Sequence, residues 1–184
     1  MTKKIAFIIN PISGTMQKED LPDMIRKGLD KRLFTPEIVF TEYREHGTEL
    51  ATSFVKRNFE IVVAVGGDGT VNEVAKALVH TNCSLGIIPI GSGNGLARHL
   101  GIPMNKRKAI EQLNHSESIT IDYGRVNGIP FFCTCGTGFD AYVSSKFAKG
   151  NKRGFISYIE NIITGYFNYK SQNYHIIGDG INLK

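Results

Sequence analysis

Residues 61–70 read Ile61-Val62-Val63-Ala64-Val65-Gly66-Gly67-Asp68-Gly69-Thr70. The run from Ile61 to Val65 is continuously apolar and rich in β-branched side chains, as expected of a central strand covered on both faces. It breaks into a glycine-rich turn, and from Val71 to Val79 the apolar residues Val71, Val74, Ala75 and Leu78 recur at helical spacing. Strand, glycine turn and helix in this order form half of a βαβ unit. Glycines let a backbone approach a phosphate closely, and their N–H groups with the helix N-terminus make an anion-binding nest. Asp68 inside such a turn would repel a polyphosphate unless it holds Mg²⁺ through water or accepts a proton from a nucleophile. Asn72 and Glu73 on the next helical turn also suit a capping or packing role.

Outward from this segment the alternation continues. Lys3–Ile9 and Pro36–Phe40 read as strands, and Leu21–Leu33 and Thr48–Val55 as helices. Leu85–Ile90 reads as a strand, Leu96–Leu100 as a short helix, and Asn105 caps a further helix through Leu113. Buried strands separated by amphipathic helices predict an α/β fold, a parallel sheet with helices on both faces. Ligands in such folds bind at the carboxyl ends of the strands. Two more small-residue turns stand at such ends, Asn10-Pro11-Ile12-Ser13-Gly14-Thr15 and Gly91-Ser92-Gly93-Asn94-Gly95-Leu96-Ala97-Arg98. Neither is a dinucleotide fingerprint or a P-loop, because the spacing differs and no Gly-Lys-Ser/Thr is present.

The pattern changes after about Ser116. Ser118–Val126 and Ile129–Cys135 flank Asn127-Gly128, a strong hairpin signal. Phe155–Tyr169 reads as an aromatic-rich helix and Tyr174–Ile177 as one more strand. The expected division is an α/β nucleotide-binding domain over 1–116 and a partial, β-rich second domain over 117–184.

Composition bounds the rest. The chain has 184 residues, 41% apolar and 21% charged, with a net charge of +5, ordinary values for a globular protein. No apolar run approaches the ~20 residues that span a bilayer. The stretch Ile5–Ile9 after Lys3-Lys4 reads as a buried strand rather than a leader. The basic residues are scattered, so no nucleic-acid arm is indicated. Cys83, Cys133 and Cys135 are at no metal spacing and read as reduced, small hydrophobes in a cytoplasmic protein.

Together the three turns resemble the catalytic domain of the diacylglycerol kinase and sphingosine kinase superfamily. The Asn-Pro-x-Ser-Gly turn, the Gly-Gly-Asp-Gly-Thr-x-Asn-Glu block and the Gly-Ser-Gly-Asn block stand in that family's order. Ile121-Asp122-Tyr123-Gly124, Gly136-Thr137-Gly138-Phe139-Asp140-Ala141 and Lys152-Arg153-Gly154 also match. The Gly-Gly-Asp-Gly turn alone is shared with NAD kinases and phosphofructokinases; Asn72-Glu73 and the Gly91–Arg98 block single out lipid kinases. The resemblance implies a Rossmann-like, NAD kinase and phosphofructokinase-like domain followed by the beginning of an antiparallel β-sandwich. It implies γ-phosphoryl transfer from ATP, with Mg²⁺, to the hydroxyl of diacylglycerol or a sphingoid base, at peripheral contact with the inner membrane surface. Asn10, Ser13 and Gly14, Gly66 to Thr70 with Glu73, and Gly91, Ser92, Gly93 and Asn94 would bind the nucleotide. Asp122 would serve the metal, Asp140 the lipid head group, and Arg153 the transferring phosphate.

Two departures qualify this. Gly95 replaces an aspartate frequent in the family but also missing from sphingosine kinases, which tilts acceptor choice only slightly. The rest of the sandwich is expected to be absent. Bacterial diacylglycerol kinases have their general base there, whereas sphingosine kinases use the aspartate matching Asp68, so Asp68 is the base on the second reading. The alternatives are a truncated nucleotide-binding module without activity and an NAD kinase-like enzyme. A homo-oligomer stays open.

Overall fold

The computed structural model describes residues 2–14, 20–149, 162, 166 and 169–183. These fall into two compact units, Met1–Thr134 and Cys135–Lys184. The hairpin around Asn127-Gly128 therefore groups with the first unit, beyond the division expected after residue 116.

The first unit is built on a parallel sheet of β1 (Lys3–Ile9), β2 (Phe34–Phe40), β3 (Ile61–Gly66) and β4 (Ser84–Pro89), in the order β2-β1-β3-β4. Alternation of side chains splits each central strand between two cores. Ala6, Ile8, Val62 and Ala64 pack on one face with Ala51 and Phe54 of α2 (His46–Lys56) and Val71, Val74 and Leu78 of α3 (Asp68–Leu78). Ile5, Phe7, Ile9, Val63 and Val65 pack on the other with Leu21 and Ile25 of α1 (Leu21–Gly28) and Ala109 and Ile110 of α5 (Lys106–Leu113). Both faces are covered, so the strands read as continuous apolar runs, and each fully buried Ile or Phe contributes roughly 1.5–3 kcal/mol. Pro36 is tolerated because β2 is an edge strand.

The expected helix from Leu21 to Leu33 ends at Gly28. Leu29 turns extended, and Asn114, far along the chain, closes the end. Its Nδ2 donates to Gly28 O at 2.8 Å and its Oδ1 accepts from Asp30 N at 2.9 Å. The short α4 (Gly95–His99) follows the turn after β4. At α5, Asn105 Oδ1 accepts from the backbone of Arg107 and Lys108, the expected cap.

The hairpin after residue 116 is shorter than expected. It pairs only β5 (Gly124–Val126) with β6 (Ile129–Phe131), through a turn with Asn127 at φ 49° and Gly128 at φ 81°. The ladder closes at Phe131, so Cys133 and Cys135 lie beyond it and are exposed; they are not the packed hydrophobes expected. Cys83 is half-buried, and burial pushes its thiol up to about 11.

The second unit holds α6 (Phe139–Lys149), which the sequence reading missed, and an antiparallel pair, β7 (Ile176–Gly178) and β8 (Ile181–Leu183). Only part of the strand expected at Tyr174–Ile177 is present. Its partner was not anticipated, although Asp179-Gly180 is a hairpin turn, both residues having positive φ. The helix expected over Phe155–Tyr169 lies almost wholly outside the described residues. The architecture is the expected α/β domain followed by antiparallel strand pairs. Among the described residues no helix is long and apolar enough to cross a membrane.

Candidate functional site

Parallel pairing fixes where the three small-residue turns emerge. Ile9 lies beside Val65, Val65 beside Ile88, and Gly66 beside Pro89. The turns after β1, β3 and β4 therefore leave adjacent strands at the same edge of the sheet. The ladder continues past the strands, with Asn10 N donating to Val65 O at 3.0 Å and Ile90 N to Gly66 O at 2.9 Å.

The turns are cross-linked. Asn10 Oδ1 accepts from Ile12 N at 3.0 Å, closing its own turn, while Nδ2 donates to Thr70 Oγ1 at 3.0 Å. Thr70 is buried at 3% exposure, so this bond ties the first turn to α3. Gly14 has φ +68°, and a Cβ there would overlap the Ile90 carbonyl oxygen. Asn94 is buried and closes the third turn, accepting from Gly91 N at 3.1 Å and donating to Gly91 O at 2.7 Å. A Cβ on Gly91 would fall 2.5 Å from Gly67 Cα. The second and third turns therefore touch backbone to backbone.

Asp68 makes the strongest link. Its Oδ2 accepts from Asn94 N at 2.8 Å and its Oδ1 from Gly95 N at 2.6 Å, short bonds of the charge-assisted kind. The carboxylate is exposed yet anchored at both oxygens. Arg98 Nε donates to Gly93 O at 2.9 Å, which fixes the turn from its far side. The sequence placed Asp68 in the turn but gave no sign of its partners.

The remaining expected residues divide. Ser13, Gly67, Gly69 and Ser92 lie in the assembled turns. Glu73 does not face them: Oε1 accepts from Glu45 N and Oε2 from Gly47 N, each at 3.1 Å. It thus holds the N-terminus of α2 against α3. Asp122 is exposed on the segment before β5. Asp140 is exposed in the first turn of α6, in the second unit. Lys152 and Arg153 lie outside the described residues. Among the described residues no three His, Cys, Asp or Glu side chains gather to hold a metal. A Mg²⁺ ion needs less from a protein, one or two carboxylates with water and phosphate completing the shell.

Whether the turns fit a polyphosphate is tested by Gly69. A Cβ there meets nothing within 4 Å among the described residues. Gly69 sits in the first turn of α3, where no side chain caps the backbone. Open space beside uncapped helix N–H groups is compatible with a phosphate there. Asp68 also borders a cavity of about 420 Å³, lined with it by Asn72, Leu96, Phe131, Phe132 and Cys133. Sequence reading missed this wall, because residues 131–133 read as the inside of a strand.

The family model for the diacylglycerol kinase catalytic domain matches residues 4–126. A protein of Synechocystis sp., called uncharacterised, is 33% identical over 171 residues, covering 86% of this chain and 39% of its own. A diacylglycerol kinase of Staphylococcus saprophyticus is 35% identical over 130 residues, covering 69% and 42%. A solved diacylglycerol kinase structure from Bacillus anthracis strain Sterne superposes with a TM-score of 0.60 at 27% identity, over 70% of this chain and 48% of that one. The chain thus spans about two-fifths of the length of these curated relatives.

Proposed function

Because the chain belongs to the diacylglycerol kinase catalytic-domain family, we propose that it transfers the γ-phosphoryl group of ATP to a lipid hydroxyl, with diacylglycerol as the acceptor. The observation that carries this reading is the locking together of the three turns at one edge of the sheet, through Asn10 and Thr70 and through Asp68, Asn94 and Gly95, with open space over Gly69 and a cavity bordered by Asp68.

In this reading the turn from Gly66 to Thr70 takes the phosphates on backbone N–H groups at the start of α3. Asn10, Ser13 and Gly14 line the nucleotide on one side, and Gly91 to Asn94 on the other. When bound, Mg²⁺ would be held by Asp122 and would supply charge neutralisation on the phosphates. The lipid hydroxyl oxygen forms a bond to the γ-phosphorus, the bond to the β,γ-bridging oxygen breaks, and ADP leaves. Asp68 accepts the hydroxyl proton, being the carboxylate that borders both the turns and the cavity. Asp140 and Arg153 serve the head group and the transferring phosphate. The net charge of +5 favours a peripheral stay at an anionic membrane surface on the cytoplasmic side.

The test is purified chain with γ-labelled ATP, Mg²⁺ and diacylglycerol in mixed micelles. Labelled phospholipid product is expected. Its absence, in a chain that ATP still stabilises against heat, would reject transfer and leave a nucleotide-binding module. Stabilisation by NAD in place of ATP would move the reading to the NAD kinase-like alternative.

A further inference from the structure

Residues 98–108 read Arg98-His99-Leu100-Gly101-Ile102-Pro103-Met104-Asn105-Lys106-Arg107-Lys108, four formal positive charges and a histidine with no carboxylate among them. The fold brings this stretch to the same edge of the sheet as the three turns. Arg98 Nε holds Gly93 O of the third turn. Asn114, after the other end of α5, bonds to Gly28 O and Asp30 N. Asp30 O in turn accepts from Phe34 N, the first residue of β2. The C-terminus of α5 therefore lies at the amino edge of the sheet, and its N-terminus, with Lys106, Arg107 and Lys108, lies towards the carboxyl edge.

The interior of the fold gives no reason for these charges. Lys106, Arg107 and Lys108 occupy the first turn of α5, where the helix dipole favours anions and opposes cations. Asn105 Oδ1 already serves the N–H groups of Arg107 and Lys108, so the cap does not need the basic side chains. Among the described residues neither these three nor Arg98 enters an ion pair. Arg98, His99, Arg107 and Lys108 are exposed, and Lys106 is half-buried. Between the cations Met104 is 36% exposed, and at the same edge Ile12 of the first turn is 70% exposed. On the α5 face of the sheet Asp20 and Asp23 stand at the start of α1, but Asp23 is paired with Arg26, so the balance there stays positive. Glu42, Glu45 and Glu49 gather about the start of α2, which covers the opposite face. The carboxyl edge is thus basic over α5 and acidic over α2.

Exposed cations around an apolar tip complement an anionic bilayer surface, where the charges meet lipid phosphates and the apolar side chain enters the acyl boundary. A nucleic acid would match the charge but leave Met104 and Ile12 without a role. We propose that residues 98–108 form the surface by which the chain docks on a membrane containing anionic phospholipid, with the α5 side of the carboxyl edge turned to the bilayer and the α2 side turned away. This deepens the lipid-kinase reading and rests on it for the choice of a lipid surface. Docked in this way, the edge that carries the three turns meets the bilayer.

The experiment is co-sedimentation of the intact chain with vesicles of phosphatidylglycerol and phosphatidylcholine in about equal parts. Binding is expected there, with little on phosphatidylcholine alone and a steep loss as salt screens the charges. Each cation near such a surface strengthens binding roughly fivefold, so Arg107→Gln/Lys108→Gln should weaken it about 25-fold. Lys27→Gln/Lys31→Gln removes the same charge near the amino edge and should change binding less than about twofold. Met104→Ser should weaken binding several-fold. The Arg107→Gln/Lys108→Gln chain should melt at or slightly above the wild type, because the change relieves the dipole, and should keep the full thermal shift given by ATP. Equal loss in the two double variants would show an effect of net charge alone and overturn the surface. Tighter binding to a DNA duplex than to the vesicles would overturn the choice of partner. Vesicle binding that depends on Arg107 and Lys108, with no labelled lipid product from ATP, would uphold the surface and reject transfer. Labelled product with vesicle binding unchanged in that variant would reject the surface alone.

Discussion

Two glycines of the assembled turns should respond in opposite ways to the same added methyl group. At Gly91 a Cβ would lie 2.5 Å from Gly67 Cα and 2.9 Å from Asn94 Oδ1. Carbon atoms pack at about 3.5 Å or more, so Gly91→Ala must force the second and third turns apart by about 1 Å. Neither neighbour gives easily, because Gly67 is backbone continuing from a central strand and Asn94 is buried. Overpacking of this kind costs about 2 kcal/mol, which for a chain of this size lowers Tm by roughly 4–8 °C. At Gly69 nothing among the described residues lies within 4 Å of the added carbon. Alanine is also preferred to glycine in a helix by about 1 kcal/mol, so Gly69→Ala should keep Tm or raise it by a few degrees. A phosphate seated on Gly69 would reverse the outcome for binding, since the methyl occupies its approach and should weaken ATP on the order of tenfold. Thermal melts of both variants, with and without Mg²⁺ and ATP, read all four quantities. A Gly69→Ala protein retaining the full ATP-induced shift would refute the cradle, and a Gly91→Ala protein melting with the wild type would refute the close contact between turns.

Asp68→Asn should abolish lipid phosphorylation and loosen the third turn, because an amide offers one acceptor where two are needed. Hydrogen exchange at the Asn94 and Gly95 amides should accelerate, and unchanged protection there would contradict the clamp. Glu73→Gln leaves one of the two α2 amides without its acceptor and should destabilise the chain by roughly 1–2 kcal/mol; a chemical-denaturation midpoint equal to the wild type would argue against that anchoring role. Asp30 supplies a pH signature: hydrogen bonds from the Arg32 side chain and backbone hold its carboxyl at about 2 against an ordinary 3.8. A lowered carboxyl stabilises the fold fully above the ordinary value and loses that contribution as pH falls through the folded one. The Tm difference between wild type and Asp30→Asn should therefore be flat above about pH 4 and shrink towards about pH 2. A difference constant across that window would show that the Arg32 contact is not formed in solution.

The parts of the fold legible in the sequence are those dictated by local pattern. Strands buried on both faces need continuous apolar runs, and the turns between strand and helix need glycine wherever two backbones meet, so the sheet and all three turns could be read directly. The failures share a different physics. Leu29 and Leu33 keep helical spacing past Gly28, but the helix is stopped by Asn114, a partner no local window contains. Glu73 follows the glycine-rich turn as a member of its motif, yet its oxygens belong to α2, because the helix it anchors is adjacent in space and not in sequence. Residues 129–135 alternate like a strand throughout. Pairing ends at Phe131 because β5 supplies only three partners, and this releases Phe132 and Cys133 into the cavity wall. The start of α6 follows directly on Gly136 and Gly138, breakers beside which a local pattern carries little helix signal.

The glycines around Asp68 show how one carboxylate organises the site. A Cβ on Gly93 would come within 2.6 Å of Asp68 Oδ2, so that glycine is required by the clamp and not by any ligand. Gly91 and Gly14 are required by backbones of neighbouring turns, and at Gly95 the space is already shared with Cys133. Gly69 has no such internal reason. A motif of small residues is therefore two things superposed: positions emptied so that the turns can lock together, and, at Gly69, a position with open space over it. The first kind makes the site rigid before a ligand arrives, which lowers the ordering cost of binding. The second kind is where the proposed nucleotide would place a phosphate. Asp68 stands between them, locked on its backbone side by Asn94 and Gly95 and facing the cavity on the other. Movement of the third turn would consequently displace the Asp68 carboxylate from the border of the cavity.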